Sequence, residues 1–189
     1  MVRAGYSHVI GIDDAPFERH QRRDVPIIGA VFSGLRLEGV LCDRVRRDGM
    51  NSTRVVARMI QGSKFAAQLQ LVLLQGIALA GFNVIDLYGL HEQTGLPILV
   101  VARRRPNLAK IKAALLSSVP GGRRKWSLIE RLGPMEPAAS VFVQRAGITL
   151  DEAERVICGL AVHGKLPEPL RTAHLIAGGL VAGQSRGRP

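Results

Sequence analysis

The sequence has few cysteines, few aromatic residues and no long apolar segment. Its two cysteines, Cys42 and Cys158, form no CxxC pair, which argues against a disulfide framework or a zinc cluster, and we interpret both as core or strand residues. Aromatic residues make up only 4% of the chain, too few for a typical base-stacking platform. No apolar run reaches the roughly 18 to 20 residues of a membrane-spanning helix. We therefore expect no membrane partner.

The start of the chain also lacks the pattern of a secretory signal. Asp13 and Asp14 stand where a signal peptide needs its apolar stretch and its cleavage site. We therefore predict a cytoplasmic protein. The length of 189 residues with 47% apolar content suits one domain with a substantial core. We expect this domain to cover residues 1–183 and to be followed by a disordered tail over 184–189.

Basic residues are in large excess. The chain has 26 Lys plus Arg against 15 Asp plus Glu, a net charge of +11. Such an excess favours a polyanionic partner. The alternative is that a genome of high GC content raises the number of arginines and that the charges form an ordinary solvated surface. The basic residues cluster within 19–23, 44–47, 103–105 and 123–125, and segments that meet at one sheet edge would form a basic rim suited to phosphates. The predicted nucleic-acid-binding residues are Arg46, Arg47, Arg103, Arg104 and Arg105.

The first apolar run ends in two adjacent acids, Asp13 and Asp14. Residues 9–12 are typical of a buried central strand, which carries these acids to a sheet edge where a divalent cation can bind. A second such run, residues 69–74, ends in Gln75, where a metal site between two strands would be expected to have another acid. Gln75 keeps an oxygen and loses the charge. Asp13 and Gln75 are the candidate ligands for Mg²⁺ or Mn²⁺.

Hydrophobic patterning predicts that the architecture changes along the chain. Three strands with short turns, within residues 8–45, predict an antiparallel meander. Strand and helix then alternate, which predicts parallel strands near 69–74 and 97–101 and a short strand at 141–143. Helices are predicted over 53–61, 83–93, 108–117, 149–163 and 167–182. Residues 119–138 contain many prolines and glycines and predict an insertion with one short helical turn.

Five ordered segments resemble a known family. They are GIDDAPF at 11–17, DG at 48–49, LQGIALAGFNVIDL at 74–87, TGLPILVVARRRPNL at 94–108 and LPEPLRTAHLIA at 166–177. Together they are similar to the endonuclease V-like proteins of unknown function found mainly in archaea, distant relatives of endonuclease V. The resemblance implies an α/β fold of the ribonuclease H-like class, with a mixed sheet of three antiparallel strands, then parallel strands, flanked by helices. It also implies magnesium-dependent cleavage of nucleic acid near a deaminated purine.

The active-site positions that the resemblance implies are only partly kept. The first-strand aspartate falls on Asp13. The second aspartate falls on Gln75, the helical glutamate falls near Asn51, and a late histidine falls near Ala146. Magnesium binding depends on carboxylate charge as well as on geometry. The departures therefore predict a weak or lost nuclease activity.

The other acids and histidines are secondary candidates. Asp86, after the glycine-rich bend, is a candidate catalytic helper, with a helix-capping role as the alternative. Asp48 is interpreted as a turn former beside Gly49, and Asp14 as a structural residue on the opposite side of its strand. None of the five histidines has a metal-ligand spacing, and each is interpreted as structural.

Three functions remain open. The first is a nucleic-acid-binding protein of endonuclease V-like fold that retains at best a weak metal-dependent endonuclease activity. The second is a non-catalytic binding or structural module that acts in a complex. The third is a nuclease with a migrated site that uses Asp13, Asp48 and Asp86. The sequence leaves open the choice between DNA and RNA, the base preference and homo-oligomerisation.

Overall fold

The computed structural model describes residues 5–18 and 23–185, which form a mixed sheet flanked by helices. The strands are β1 (His8–Asp14), β2 (Val25–Ser33), β3 (Arg36–Val45), β4 (Leu71–Gln75), β5 (Ala78–Leu79), β6 (Asn83–Val84), β7 (Ile98–Ala102), β8 (Glu136–Ala138) and β9 (Val141–Ala146). The helices are α1 (Ser52–Gln61), α2 (Leu87–Thr94), α3 (Leu108–Ser118), α4 (Gly122–Leu132), α5 (Leu150–Leu160) and α6 (Glu168–Ala182). Among the described residues, no helix has the length and apolar character that crossing a membrane requires.

Seven strands form the main sheet, in the order β3-β2-β1-β4-β7-β9-β8. Strands β1, β2 and β3 pair antiparallel, and β1, β4 and β7 pair parallel. The predicted fold class, a mixed sheet with three antiparallel strands followed by parallel strands, is confirmed. Strands β9 and β8 extend the far side of the sheet with antiparallel pairing, which the sequence did not predict.

The central strands are apolar along their length because both faces of the sheet are covered. Alternate residues enter two apolar clusters. The cluster that includes Ile12 and Leu74 also contains residues of α1 and α2, and the cluster that includes Leu71 and Leu73 contains residues of α5. The parallel strands therefore end together at one edge of the sheet, between two helical layers.

Helix α6 contacts β1 at the backbone level. A Cβ atom placed on Gly11 would lie 2.3 Å from the carbonyl carbon of Pro169 and 2.6 Å from the backbone nitrogen of Leu170. Only glycine allows this approach. The contact fixes the height of α6 above the sheet and carries residues of its second turn to the end of β1.

Three local predictions are wrong. Helix α2 begins at Leu87 instead of residue 83, because β5 and β6 form a short hairpin first and Asp86 caps the helix through a bond from the Gly89 nitrogen. Residues 122–132 form a complete helix, since Gly121 adopts the left-handed conformation before it and Lys125 and Ile129 are buried. Cys158 is neither a core nor a strand residue, because it is exposed on α5, whereas Cys42 lies on β3 as one of the two predicted alternatives.

Some predictions fall outside the described residues. One is the predicted tail, of which residues 186–189 are not described. Another is the first basic cluster, two of whose arginines lie within residues 19–22. The predicted domain limits stay a prediction.

Glu168 joins the segment before α6 to the first turn of that helix. It is 8% exposed and accepts hydrogen bonds from the His163 backbone nitrogen at 3.2 Å and from Arg171 Nε at 2.9 Å. Burial raises the pKa of Glu168, but the hydrogen bonds from Arg171 and His163 outweigh burial and leave the pKa below its ordinary value of 4.5. The ionised carboxylate therefore stabilises the folded state.

This lowered pKa predicts a loss of stability in acid. The contribution of Glu168 is fully present above the unfolded pKa of 4.5 and is lost as pH falls through the lower folded pKa. Glu168→Gln is expected to lower the free energy of unfolding at neutral pH by roughly 1.5–3 kcal/mol and to flatten this part of the pH dependence. Urea denaturation between about pH 7 and about pH 3 measures both effects. The exposed Glu92→Gln is the control, and equal behaviour of the two variants would contradict the prediction.

Candidate metal and nucleic-acid site

Asp13 and Gln75 lie beside each other at the ends of neighbouring parallel strands. The register of β1 and β4 pairs Ile12 with Leu74, so Asp13 and Gln75 follow at the same level. Both side chains line an open cavity of about 390 Å³, whose wall also includes Asp14, Phe17 and His174. The structure thus brings together the two residues that the sequence predicts as metal ligands.

Asp13 is held by two hydrogen bonds. It is 5% exposed; Oδ2 accepts from His174 Nδ1 at 2.8 Å and Oδ1 accepts from the Asp14 backbone nitrogen at 3.0 Å. The hydrogen bond to Asp13 raises the pKa of His174, burial lowers it, and the charge of Asp13 raises it further, with a net upward shift. His174 therefore orients the buried carboxylate, and its protonated form also compensates the carboxylate charge.

Sequence reasoning missed His174 as a site residue. It is 161 positions from Asp13 and belongs to no ligand motif. The available signal was its position in α6, directly after Ala173 and three residues before Ala177, both fully buried. A half-buried polar residue on the sheet-facing side of a helix needs a polar partner, and here the partner is Asp13.

Asp14 lines the same cavity as Asp13, although alternation along the strand predicted that it points to the opposite side. Its Oδ2 accepts a hydrogen bond from the Ala80 nitrogen of the β5–β6 hairpin at 3.0 Å. Burial, followed by the charge of Asp13, raises the pKa of Asp14 to about 6. Because Asp14 ends the strand, it also contributes to the cavity wall. It holds the hairpin against the site and adds negative charge beside Asp13.

Gln75 carries a buried oxygen that has no protein partner. Its Oε1 atom makes no hydrogen bond with any described residue. A buried polar atom without a partner costs roughly 1–3 kcal/mol. Within the described ranges, 5–18 and 23–185, no group of three His, Cys, Asp or Glu side chains is arranged to hold a metal ion. A cation in this cavity would meet Asp13, Asp14, Gln75 and water, a set that Mg²⁺ accepts because it keeps several waters.

Asn51 and Asp86 are not among the residues that line this cavity, so the structure does not bring them together with Asp13, and their catalytic role stays a prediction. Asn51 Oδ1 accepts from the Arg46 nitrogen at 3.1 Å and from Asn83 Nδ2 at 2.8 Å. Asp86 Oδ1 accepts from the Gly89 nitrogen at 3.1 Å and from Arg131 Nη2 at 3.0 Å. Both side chains stabilise a helix start or a loop junction.

Ala146 and Asp48 are also outside the cavity wall. Ala146 pairs with Ile98 at the start of β7, so it lies at the opposite end of the sheet from Asp13. Asp48 has φ +50°, and its Oδ1 accepts from the Phe82 nitrogen at 2.8 Å, which suits the predicted turn role. Asp13, Asp48 and Asp86 therefore do not share one pocket, and the migrated site is not supported.

Two basic segments, 46–47 and 103–105, follow strands that end at the same sheet edge as the cavity; Arg46 and residues 103–105 are exposed, whereas Arg47 is half-buried and pairs with Asp48 at 2.9 Å. Strands β2 and β3 return so that the end of β3 lies at the same edge as Asp14. Arg46 and Arg47 follow β3, and residues 103–105 follow β7 at this edge. Four spacings between neighbouring strands separate β3 from β7, so the two basic segments begin roughly 19 Å apart. The ends of β3 and β7 therefore place basic residues at the same sheet edge as the cavity, and the charge of Arg103 reaches His174, whose pKa it lowers.

Comparisons with known proteins agree with this architecture. The family model described as Endonuclease dU matches residues 6–181. A UPF0215 protein of Deinococcus radiodurans is 58% identical over 182 residues, which cover 96% of this chain and 93% of that protein. A crystal structure of a protein of unknown function from Archaeoglobus fulgidus has a TM-score of 0.86 at 30% identity and covers 92% of this chain and 98% of that chain.

Endonuclease V structures share the fold at lower identity. The Ciona intestinalis endonuclease V, solved with a 24mer DNA that contains an inosine, has a TM-score of 0.56 at 12% identity and covers 89% of this chain and 83% of that chain. This likeness shows the ribonuclease H-like fold. The resemblance found in the sequence is confirmed. The chain belongs to the Endonuclease dU family, whose fold is that of endonuclease V.

Proposed function

We propose that this protein binds DNA along the basic edge of its sheet and weakly hydrolyses a phosphodiester bond beside a deaminated base. The observation that carries the proposal is that Asp13 and Gln75 line one open cavity, where the buried Oε1 of Gln75 has no hydrogen-bond partner among the described residues. The family description, Endonuclease dU, points to dU as the first base to test, and the inosine-containing DNA of the Ciona structure supplies the second. We also propose that the protein acts in the cytoplasm.

The cation that fits this cavity is Mg²⁺ or Mn²⁺, held by Asp13 and Gln75. A bound divalent cation would supply Lewis acidity and a more acidic water. Asp13 contributes the carboxylate charge, and His174 keeps that carboxylate in one orientation through Nδ1. Arg103 adds positive charge next to the cavity, where a phosphate would lie. Since Gln75 adds an oxygen without charge, we expect the activity to be lower than at a site with two acidic ligands.

Cleavage of labelled duplexes tests the proposal. Three duplexes of one sequence carry a single dU, a single inosine or neither, and each is incubated with Mg²⁺, with Mn²⁺ or with a chelator. We expect cut strands only with metal and mainly at the modified base. Binding without cleavage under every condition would reject the enzyme and leave the alternative, a non-catalytic binding module.

Gln75→Asp tests whether the two strand ends share one metal site. A second carboxylate beside Asp13 is expected to tighten Mg²⁺ binding by about tenfold, because carboxylate charge dominates magnesium affinity. Isothermal titration calorimetry measures the change. Gln93→Asp adds the same charge at an exposed position on α2 and is the matched control. Equal Mg²⁺ affinity in Gln75→Asp and the wild type, with the fold intact, would refute the shared site.

A further inference from the structure

Helices α3 and α4 form an arm that connects the two ends of the basic edge. Helix α3 begins three residues after Arg105, at the end of β7. A Cβ atom placed on Gly122 would lie 1.7 Å from the Leu115 carbonyl oxygen, so the backbones of the two helices touch. Leu115 and Ile129 form a small apolar cluster with Val84 of β6. The arm is therefore packed against the hairpin that also holds Asp14.

The first turn of α4 lies beside the loop that carries Arg46 and Arg47. Lys125 is 1% exposed, and its Nζ donates to the Asp48 carbonyl oxygen at 2.6 Å. A Cβ atom placed on Gly121 would lie 2.8 Å from Met50 Sδ. The sequence suggested that residue 125 belonged to an exposed basic loop, but Lys125 is buried and serves as the anchor of α4. The exposed basic residues before it are consequently placed next to the β3 side of the rim.

The solvent-facing side of the arm is strongly basic. Residues 108–132 contain six Lys or Arg residues and one acid, Glu130. Lys112 lies 3.9 Å from Glu130, and Arg131 pairs with Asp86 at 3.0 Å. Lys110, Arg123 and Arg124 are exposed, and none of the three forms an ion pair with a described acid. These three cations are available to an external anion.

We infer that the arm is a second phosphate-binding surface, which holds duplex DNA beside the cavity through Arg123, Arg124 and Lys110. The inference rests on the proposed function, because it names a further contact for the same substrate. The Lys112 ammonium lies 5.0 Å from the Trp126 ring centroid and covers that ring. The arm therefore offers charge without a stacking surface, which suits the regular phosphates of a duplex better than single-stranded bases.

Charge reversal of the arm is the test. The double variant Arg123→Glu/Arg124→Glu is compared with Arg155→Glu/Lys165→Glu, which reverses two exposed charges at α5 and the loop after it. Fluorescence anisotropy with an unmodified 30-base-pair duplex, in chelator so that no strand is cut, measures binding. We expect the arm variant to bind at least about tenfold more weakly, with a slope of log K against log salt reduced by about 2. The control variant is expected to stay within about threefold of the wild type.

Each outcome separates the inference from the proposed function. Equal losses in both variants would show a general net-charge effect and overturn the inference. A loss seen only with a single-stranded oligonucleotide would overturn the assignment to duplex. Wild-type binding that the arm variant loses supports the inference even if no duplex is ever cut. Cleavage by the wild type with unchanged binding by the arm variant would overturn the inference alone, and absence of wild-type binding would overturn both.

The arm variant also has a fold control. Arg123 and Arg124 are exposed, so thermal unfolding of the variant is expected to match that of the wild type.

Lys110→Glu on α3 reverses a charge on the other helix of the arm. It is expected to weaken duplex binding in the same direction, by about threefold. Unchanged binding in this variant would restrict the surface to α4 and contradict the three-residue assignment.

Discussion

Asp13→Asn is expected to abolish metal-dependent cleavage while the fold stays intact. Asparagine keeps the shape of the side chain, but its single carboxamide oxygen can accept from only one of His174 and the Asp14 nitrogen, and the substitution removes the Asp13 carboxylate from the cavity. The cavity wall then keeps one acid, Asp14, whose Oδ2 accepts from the Ala80 nitrogen, and the neutral side chain of Gln75. We expect the cleavage rate to fall at least roughly a hundredfold, which corresponds to about 2.7 kcal/mol of transition-state stabilisation. Single-turnover cleavage of the dU duplex gives the rate, and calorimetry with Mg²⁺ gives the metal affinity.

The matched control is Asp151→Asn, which removes an exposed carboxylate from the first turn of α5. This variant is expected to cut as fast as the wild type. Duplex binding by Asp13→Asn in chelator should be unchanged or slightly tighter, because one negative charge near the phosphates is gone. If Asp13→Asn retained the wild-type cleavage rate, another group would have to hold the cation, and the placement of the site at the end of β1 would be wrong.

Gly11→Ala is expected to have the largest effect on stability. Its new methyl group would lie 2.3 Å from the carbonyl carbon of Pro169 and 2.6 Å from the Leu170 nitrogen. Neither partner is a flexible side chain, so the backbone of β1 or of α6 has to move. Overpacking of a fitted core typically costs 1–3 kcal/mol, and we expect about 3 kcal/mol or more here. Urea denaturation measures the loss, which is a large part of the roughly 5–15 kcal/mol that stabilises a typical domain.

Gly179→Ala, also in α6, is the control for this prediction. Among the described residues, Ser185 Oγ at 4.0 Å is the nearest atom to its added Cβ outside the backbone of the helix. Alanine is favoured over glycine within a helix, so this variant is expected to be about 0.5–1 kcal/mol more stable than the wild type. Because α6 carries His174 to Asp13, Gly11→Ala is also expected to weaken Mg²⁺ binding in the folded protein. Equal unfolding free energies for the two variants would contradict the backbone contact.

Much of the sheet could be predicted because the pattern of apolar residues is local. The continuous apolar runs that end at Asp13 and Gln75 indicate strands buried on both faces, and parallel neighbours bring their carboxyl ends to one edge. The positions of Asp13, Gln75 and the basic segments after β3 and β7 follow from the order of strands. The short hairpin before α2 and the full length of α4 were missed, since glycines at 76, 81, 121 and 122 hid elements that tertiary contacts stabilise.

The roles of single polar residues were harder to predict. Asn51 and Asp86 have the chemistry of catalytic residues, yet their oxygens accept from backbone and side-chain groups in the neighbouring loops and helices. His174 has an ordinary sequence context and meets Asp13 only because α6 returns across β1. The charge of Lys125 suggests a solvent-exposed side chain, but its ammonium group donates a hydrogen bond to the Asp48 carbonyl oxygen. The chemistry of a side chain limits the roles that it can have, and its contacts in the folded protein decide which of these roles it takes.

By itself, the sequence determined the mixed sheet, the family resemblance, the acidic strand end at Asp13 and the excess of basic residues, because periodicity, composition and order along the chain carry this information. Only the tertiary structure decided that His174 orients Asp13, that Gln75 Oε1 has no partner among the described residues and that α4 is anchored at Asp48. These features depend on contacts between segments distant in sequence. Their geometry is set by close backbone packing, as at Gly11 and Pro169, which no local pattern records.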